Sequence, residues 1–278
     1  MAINKKLIHF NKKEDFEREV ANENILNHSI VFIKDTKEIY THGTIYGNNN
    51  SIKWSNLDTS MEFVDLGFNV YWASCNLGAT KPEDTGLFYA WGETEGYRYD
   101  ETGKKLLDAD GNPTTRTFSE YDYKWIDYSG SDPIILKYHF DFQGIYEGVL
   151  DYKITLDPED DAANVACYGT RIPNLTDFGY IKAFTTQTRE VLNGVNVLKI
   201  TSNINGNFIY FPIVNIKNID TYYWTNSINS NGCESAYCSD AINDSFLEIG
   251  SYGTQFSSSS IYRYFGCLIR PVLDKFKK

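Results

Sequence analysis

Apolar and polar residues alternate in short runs along most of the chain, and turn-forming residues separate these runs. In EFVDLGFNVYWASCN (Glu62–Asn76) the alternation continues on both sides of Leu66-Gly67, which predicts two paired strands joined by a tight turn. Few long helical patterns occur after Met61. The pattern therefore predicts an α+β domain built mainly from short strands.

The N-terminal part of the chain has a different pattern. LIHF (Leu7–Phe10) predicts a short strand, and Asn11 is suited to cap a helix that places Phe16 and Val20 on one face. SIVFIKDTKEIYTHGTIYG then predicts two further strands joined by a polar turn. This β-α-β-β unit is small, so we expect contacts with a neighbouring domain or with copies of itself to stabilise it.

These patterns divide the chain into three parts. Residues 1–47 are predicted to form the β-α-β-β module, which would serve attachment or oligomerisation, and residues 61–278 to form the α+β domain. Residues 48–60 are rich in Asn and Ser, which predicts a linker. Ile52 and Trp54 leave open that this stretch contains a docking strand.

Two helices are predicted in the larger domain. In LDPEDDAANVACYG, Asp157 stands at an N-cap position and Pro158 at the first helical position, and the acids that follow suit the helix dipole. The second helix is predicted from Asn174 or Thr176 to about Phe184. The acidic residues of the first helix are thereby interpreted as structural.

An inserted hairpin is predicted around Lys104–Leu107, between the turn signals Thr102-Gly103 and Asp110-Gly111-Asn112. Asp108, Asp110 and Asn112 also carry the oxygen atoms that calcium prefers, but the loop is shorter than an EF-hand and differently spaced. No metal site is therefore predicted, and bound calcium at residues 108–112 stays open as an alternative.

Composition and charge exclude several classes of partner. The chain has 278 residues, of which 42% are hydrophobic, and this suffices for one large domain or two smaller ones. Its formal net charge of −11 argues against a nucleic-acid partner. No apolar run approaches the length of a membrane span, and the start shows no secretion signal, so membrane insertion is not expected. Five widely spaced cysteines predict mostly reduced, partly buried thiols.

Common enzyme motifs, such as H-E-x-x-H, the P-loop and the G-x-S-x-G elbow, are absent. The chain is therefore predicted to have no catalytic residues and no cofactor. Glu93, Glu95 and the acidic run Glu159–Asp161 leave a two-carboxylate glycosidase as an alternative. The sequence does not place any two of these groups across a cleft.

TYYWTNSINSNGCESAYCSDAINDSF (Thr221–Phe246) contains no Lys or Arg and is rich in Tyr, Ser, Asn and Gly. These residue types dominate antibody paratopes, because Tyr gives a large rigid contact area and the small polar types give adaptable hydrogen bonding. A solvent-exposed, turn-rich loop has the same composition. The missing cations indicate a preference for neutral or cationic ligands.

Five segments carry a resemblance to a known family: EFVDLGFNVYWASCNLGATKPEDTGLFYAWGETEGY, LDPEDDAANVACYGTRIPNLTDF, NGVNVLKITSNINGNFIYFP, YYWTNS and YFGCLIRPV. Together they resemble the major paralogous domain family of gut bacteria and their phages, in order from about Glu62 to Val272. The resemblance implies a C-type lectin-like fold, similar to that of retroelement-diversified phage receptor-binding proteins. LIHFNKKEDFEREVANENILNHSIVFIKDTKEIYTHGTIYG resembles modules that open phage tail or fibre proteins.

The resemblance also implies roles for single residues. Trp72, Trp91 and Trp224 match core aromatics of the family, and Arg171-Ile172-Pro173 and Arg270-Pro271-Val272 match scaffold segments. Cys238-Ser239-Asp240 departs from the apolar alternation of the family, so an irregular strand is expected there. The calcium-binding tripeptides of sugar-binding C-type lectins do not occur, which disfavours calcium-dependent sugar binding, whereas stacking of Tyr side chains on a glycan stays open.

The function implied is that of a non-enzymatic phage tail or fibre protein, made in the bacterial host cytoplasm and located in the virion. Its C-terminal domain would bind a host cell-surface protein or glycan through a recognition surface within Thr225–Tyr264, and residues 1–60 would bind other phage tail proteins. A homo-oligomer is expected, with a trimer favoured. The expected ligand-binding residues are Asn226, Asn229, Asn231, Tyr237, Asp240, Asn243, Tyr252, Ser258, Tyr262 and Arg263.

Two alternatives remain. One is a structural virion subunit with no receptor role, whose polar loops meet only neighbouring subunits. The other is a copper-dependent oxidase of the formylglycine-generating type, because Cys233 and Cys238 have a spacing similar to that family's cysteine pair and thiolates bind Cu(I). The residues around these cysteines do not match the enzyme's motifs.

Overall fold

The computed structural model describes residues 7–10, 12, 14–15, 18, 30–33, 39–42, 54–56, 61–139, 147–148, 150–167, 169–213, 221–228, 235–240 and 258–275. The chain divides into two compact units. The first comprises Met1–Met61 with Cys167–Gly169, and the second comprises Glu62–Ala166 with Thr170–Lys278.

The first unit contains a four-stranded sheet in the order β1-β2-β3-β4, with strands β1 (Leu7–Phe10), β2 (Ile30–Ile33), β3 (Ile39–His42) and β4 (Trp54–Asn56). Strands β1 and β2 are parallel, which requires a crossover connection, and residues 14, 15 and 18 between them are helical. The other pairs are antiparallel. Strand β4 lies within residues 48–60, so this stretch is not only a linker: Trp54 pairs with His42.

The second unit is an α+β structure with few helices and many antiparallel strands. Its helices are α1 (Ala162–Ala166) and α2 (Leu175–Phe184), and a 3₁₀ turn covers Glu120–Asp122. Its strands are β5 (Phe63–Asp65), β6 (Val70–Ala73), β7 (Arg98–Tyr99), β8 (Leu106–Leu107), β9 (Ile126–Asp127), β10 (Ile134–Ile135), β11 (Glu147–Gly148), β12 (Thr170–Arg171), β13 (Thr185–Leu192), β14 (Val195–Ser202), β15 (Phe208–Pro212), β16 (Tyr222–Ile228), β17 (Ser235–Asp240), β18 (Ser258–Tyr262) and β19 (Val272–Asp274).

The strands of the second unit form small sheets. Their orders are β12-β19-β6-β5, β13-β14-β15, β16-β17-β18, β11-β10-β9 and β7-β8. The predicted hairpin of β5 and β6 is present, and its turn residue Gly67 has a φ of 84°, where glycine is favoured. The last strand, β19, pairs with β6 and places Val272 opposite Trp72.

A hydrophobic core lies within the second unit. Trp72 is fully buried and contacts Phe178 and Phe211 edge-on, with ring centroids 5.3 and 6.3 Å apart. Trp91 and Trp224 are also fully buried, as the resemblance implied. The Nε1 atom of Trp91 donates to the Thr225 carbonyl oxygen at 2.8 Å, which satisfies the polar atom that burial would otherwise leave unpaired.

Helix α2 follows the sequence prediction, whereas α1 begins later than predicted. The Asn174 side chain accepts from the Asp177 amide, and Asp177 accepts from the Asn174 amide, which completes a capping box. In contrast, α1 begins at Ala162, because Asp161 rather than Asp157 accepts hydrogen bonds from the first helical amides. The prediction that Asp157 is the N-cap is therefore wrong.

Arg270 forms hydrogen bonds to two segments beside the core. Its guanidinium is fully buried and donates to the Asn76 side chain at 2.8 Å and to the Ala73 carbonyl at 3.0 Å. It also donates to the carbonyl oxygens of Ser74 and Tyr210, both at 2.7 Å. Since buried polar groups need partners, this one side chain satisfies acceptors from two separate parts of the sequence, residues 73–76 and strand β15.

Candidate functional site

The β16-β17-β18 sheet carries the segment singled out by its Tyr, Ser and Asn content. Its first strand is fixed to the core, because Tyr223 and Trp224 are fully buried. The Trp224 Nε1 atom donates to the Tyr89 carbonyl oxygen at 2.7 Å, and the Trp224 amide donates to Leu268 at 3.0 Å. The sheet therefore begins from a rigid base.

Strand β17 is antiparallel to both of its neighbours. Cys238 pairs with Trp224 on one side and with Ser259 on the other. The register shift lies between Trp224 and Ile228 of β16, which indicates a bulge there. The expectation of an irregular strand at residues 238–240 is therefore wrong: these residues pair in register with β16, and the shift lies in β16 itself.

Three aromatic residues lie at the end of β18 and in the turn after it, and we call Tyr262, Tyr264 and Phe265 the aromatic platform. The rings of Tyr262 and Tyr264 are stacked with an interplanar angle of 5° and centroids 5.2 Å apart. Phe265 contacts both rings edge-on and is 42% exposed, and Tyr262 is 45% exposed. A hydrogen bond of 3.0 Å from the Phe265 amide to the Tyr262 carbonyl holds the turn between them.

Arg263 is buried within this segment and does not lie on the surface where we expected it. It is 1% exposed, and its guanidinium lies over the rings of Trp91 and Tyr123, 5.7 and 5.6 Å from their centroids. Its Nη1 atom donates to the Lys137 carbonyl at 3.2 Å, and its own carbonyl accepts from the Trp91 amide at 2.8 Å. Tyr262 ends β18 and is 45% exposed, whereas Arg263 begins the turn that follows and is buried.

The other expected ligand-binding residues lie partly within and partly outside the described residues. Asn226 is half-buried on β16, and its side chain accepts a hydrogen bond from the Ser227 hydroxyl at 2.9 Å. Strand β17 contains Tyr237 and Asp240, and β18 contains Ser258. Four expected residues lie outside the described residues: Asn229, Asn231, Asn243 and Tyr252.

The recognition surface predicted from the sequence ends at Tyr264, but neither Tyr264 nor Phe265 was among the expected ligand-binding residues. The run YRYF carries a signal in its density of aromatic residues, but no alternation pattern could place the rings, because residues 263 and 264 lie in a turn.

An acidic cluster lies before α1, where Asp157, Glu159 and Asp160 have carboxylate oxygens within 4.8 Å of one another. The Lys137 ammonium lies 2.6 Å from Asp157, 2.5 Å from Asp160 and 3.8 Å from Glu159. Lys153 also pairs with Asp157 at 2.5 Å. Hydrogen bonds from Lys137 and Lys153 lower the pKa of Asp157, so a protein cation already compensates the charges of this cluster.

Two of the other carboxylates considered for a glycosidase are bound within the scaffold, whereas Glu95 is exposed. Glu93 is 7% exposed and accepts from the Arg116 guanidinium at 2.5 Å and from the Lys124 amide at 2.8 Å. Asp161 accepts from the Ile172 amide at 2.9 Å, and burial raises the pKa of Asp161 to about 6. These contacts favour the structural interpretation of both carboxylates.

The loop at residues 108–112, left open for calcium, and the cysteines are the remaining possible ligand sets. Asp108 accepts hydrogen bonds from the amides of Asp110 and Asn112 at 3.0 and 2.8 Å, so its carboxylate closes its own turn. Three cysteines are buried thiols, namely Cys75, Cys167 and Cys267. Of the cysteine pair considered for copper, Cys238 lies on β17 and Cys233 lies outside the described residues.

No known protein family, curated protein or solved structure matches this chain. Among the described residues, no helix is long and apolar enough to span a membrane.

Proposed function

We propose that the chain is a non-enzymatic phage tail or fibre protein whose C-terminal domain has a C-type lectin-like fold and binds a host-cell surface receptor. The sequence resemblance supports this class of protein. The observation that carries the recognition role is the aromatic platform, in which the exposed rings of Tyr262 and Phe265 pack with the half-buried ring of Tyr264 beside a buried Arg263.

The platform has the physical properties of a binding surface. Stacked rings offer a large contact area, and Tyr has few rotatable bonds, so little conformational entropy is lost on binding. The backbone of Arg263 and its guanidinium tie the same segment to the core, so the rings are held in position before a ligand arrives. Residues 219–261 contain no Lys or Arg, which leaves the neighbouring sequence suited to neutral or cationic ligands.

The receptor is a protein or a glycan on the host-cell surface. In this proposal residues 1–60 bind other tail proteins of the virion, and several copies of the chain, a trimer being favoured, display the platform together. Multivalent display lets weak single contacts give strong attachment. A test therefore has to present the chain in many copies.

The experiment displays the full chain on fluorescent beads and measures binding to a panel of intact gut bacteria. The double variant Tyr262→Ala/Tyr264→Ala should lower bead binding at least about tenfold, because hot-spot aromatics contribute about 2 kcal/mol or more each. The matched control is Tyr121→Ala/Tyr128→Ala, a second Tyr pair with centroids 4.9 Å apart in which Tyr121 is 73% exposed. This control should bind as the original chain does.

Two results would contradict the proposal. Equal binding by the platform variant and the original chain would remove the platform from receptor recognition and favour a structural subunit. Equal losses in the platform variant and the control would show that exposed Tyr residues act without regard to position.

A further inference from the structure

A cleft of about 550 Å³ lies in the second unit, and none of its lining residues comes from β16, β17 or β18. One wall is the loop Gly78–Gly86, in which both terminal glycines have positive φ, at 78° and 77°. The Leu87 amide donates to the Leu77 carbonyl at 3.0 Å, which closes the base of the loop. Asn76 donates to the Thr85 carbonyl at 2.9 Å, so the wall is held in place from inside the core.

Glu83 is the carboxylate that this loop presents at the cleft. The residue is only 7% exposed, and its Oε1 atom accepts a hydrogen bond of 2.7 Å from the Asn193 side chain. Asn193 belongs to the Asn193-Gly194 turn between β13 and β14, where both residues have positive φ. This hydrogen bond therefore joins the tip of a hairpin to the cleft loop and fixes the position of the carboxylate.

The carboxylate of Glu83 forms no ion pair within 4.0 Å in the described part of the chain. The hydrogen bond from Asn193 and, more weakly, the charge of Lys81 lower the pKa of Glu83, so the group is ionised at neutral pH. A carboxylate removed from most of its water is stabilised when a cation binds beside it.

The rest of the cleft combines a second charge of the same sign with apolar surface. Asp84 lines the cleft beside Glu83, and Arg98 contributes one positive charge, so the lining carries a net charge of −1. Phe88, Val195 and Ile213 form an apolar part of the lining. The cleft therefore offers an anionic end and a hydrocarbon surface within one volume.

We propose that this cleft binds a primary ammonium group carried on a short aliphatic chain, as in a lysine side chain or a polyamine, with Glu83 as its ionic partner. The ammonium donates to Glu83 and Asp84, and the methylene groups pack on the apolar lining. This site is independent of the aromatic platform and does not rest on the proposed receptor function.

The experiment compares n-pentylamine with n-pentanol, which has a similar shape and no charge, by calorimetric titration of the full chain. Pentylamine should bind at least about tenfold more tightly, the effect of a hydrogen bond to a charged group. Two further ligands distinguish the sources of the ammonium. Nα-acetyl-lysine amide represents a lysine side chain, and spermidine represents a polyamine.

The variant Glu83→Gln keeps the shape of the side chain and should abolish the preference for pentylamine. Asn193→Ala should weaken it, because the carboxylate loses its positioning hydrogen bond. Glu62→Gln, an exposed carboxylate that does not line the cleft, should retain it. Thermal unfolding of each variant verifies that the fold is kept. Equal affinity for amine and alcohol, or an unchanged preference in a folded Glu83→Gln variant, would overturn the proposal.

Discussion

Two buried arginines hold two regions of the larger unit in different ways. Arg270 lies among β6, β15 and β19, and every nitrogen of its guanidinium donates a hydrogen bond. Arg263 follows β18 and donates through Nη1, and its buried Nε and Nη2 atoms have no hydrogen-bond partner among the described residues. Both guanidinium groups lie over aromatic rings, Arg270 over Phe211 at 4.5 Å, so the difference between them is the number of hydrogen bonds that each donates.

This difference indicates how each region is stabilised. Removal of Arg270 takes this donor from two buried and two partly buried acceptors, and an unsatisfied buried group costs about 1–3 kcal/mol. Arg263 contributes mainly the stacking of a cation on Trp91 and Tyr123, a weaker and less directional interaction. The base of the domain is fixed by hydrogen bonds, and the segment next to the aromatic platform by ring contacts.

The largest effect is expected for Arg270→Met. The substitution keeps an elongated side chain but removes every donor, so the free energy of unfolding should fall by roughly 3–5 kcal/mol. Urea denaturation followed by far-ultraviolet circular dichroism measures this loss. A loss below about 1 kcal/mol would mean that water or a repacked side chain satisfies the four acceptors.

A smaller effect is expected for Arg263→Met. Met packs favourably against aromatic rings, and the loss of Nη1 leaves the carbonyls of Lys137 and Tyr138 without this donor, so the free energy of unfolding should fall by about 1–2 kcal/mol. The same denaturation experiment applies. If both Met variants lose equal stability, the contrast between the two arginines does not hold.

The smallest effect is expected for Asp157→Asn. Asp157 pairs with the ammonium of Lys137, the residue whose carbonyl accepts from Arg263. Because Lys137 and Lys153 lower the pKa of folded Asp157 below 3.8, its charge stabilises the fold above that pH. The variant should be about 1 kcal/mol less stable at pH 7, a value discounted for the partial exposure of both partners. The difference should disappear as the pH falls through the folded pKa. A difference that persists at pH 2 would assign the loss to packing instead.

Local patterns in the sequence predicted several elements well. The Asn174 to Asp177 capping box, the β5–β6 hairpin and the strand at Leu7–Phe10 each depend on neighbouring residues, and such signals are readable without the fold. The burial of Trp72, Trp91 and Trp224 came from the family resemblance. Local capping and turn motifs thus predicted secondary structure correctly, and the resemblance predicted which large side chains are buried.

The remaining differences depend on contacts between distant residues. Asp157 has the sequence context of an N-cap, but Lys137 and Lys153 bind its carboxylate, and Asp161 caps the helix in its place. Arg263 was expected on the surface as part of the recognition surface within Thr225–Tyr264, and its burial depends on the rings of Trp91 and Tyr123 and on the Lys137 carbonyl. Neither contact leaves a signal in a single sequence.

The burial of Arg263 has a consequence for how this chain can change. Trp224 and Arg263 are inward-facing fixed points on either side of the sheet's middle and last strands, and both are held by groups outside the stretch that they enclose. Between them, Thr225, Asn226 and Ile228 of β16 also form hydrogen bonds to groups outside the sheet. A laboratory library would therefore have to keep β16 and Arg263 unchanged and vary side chains that make none of these contacts.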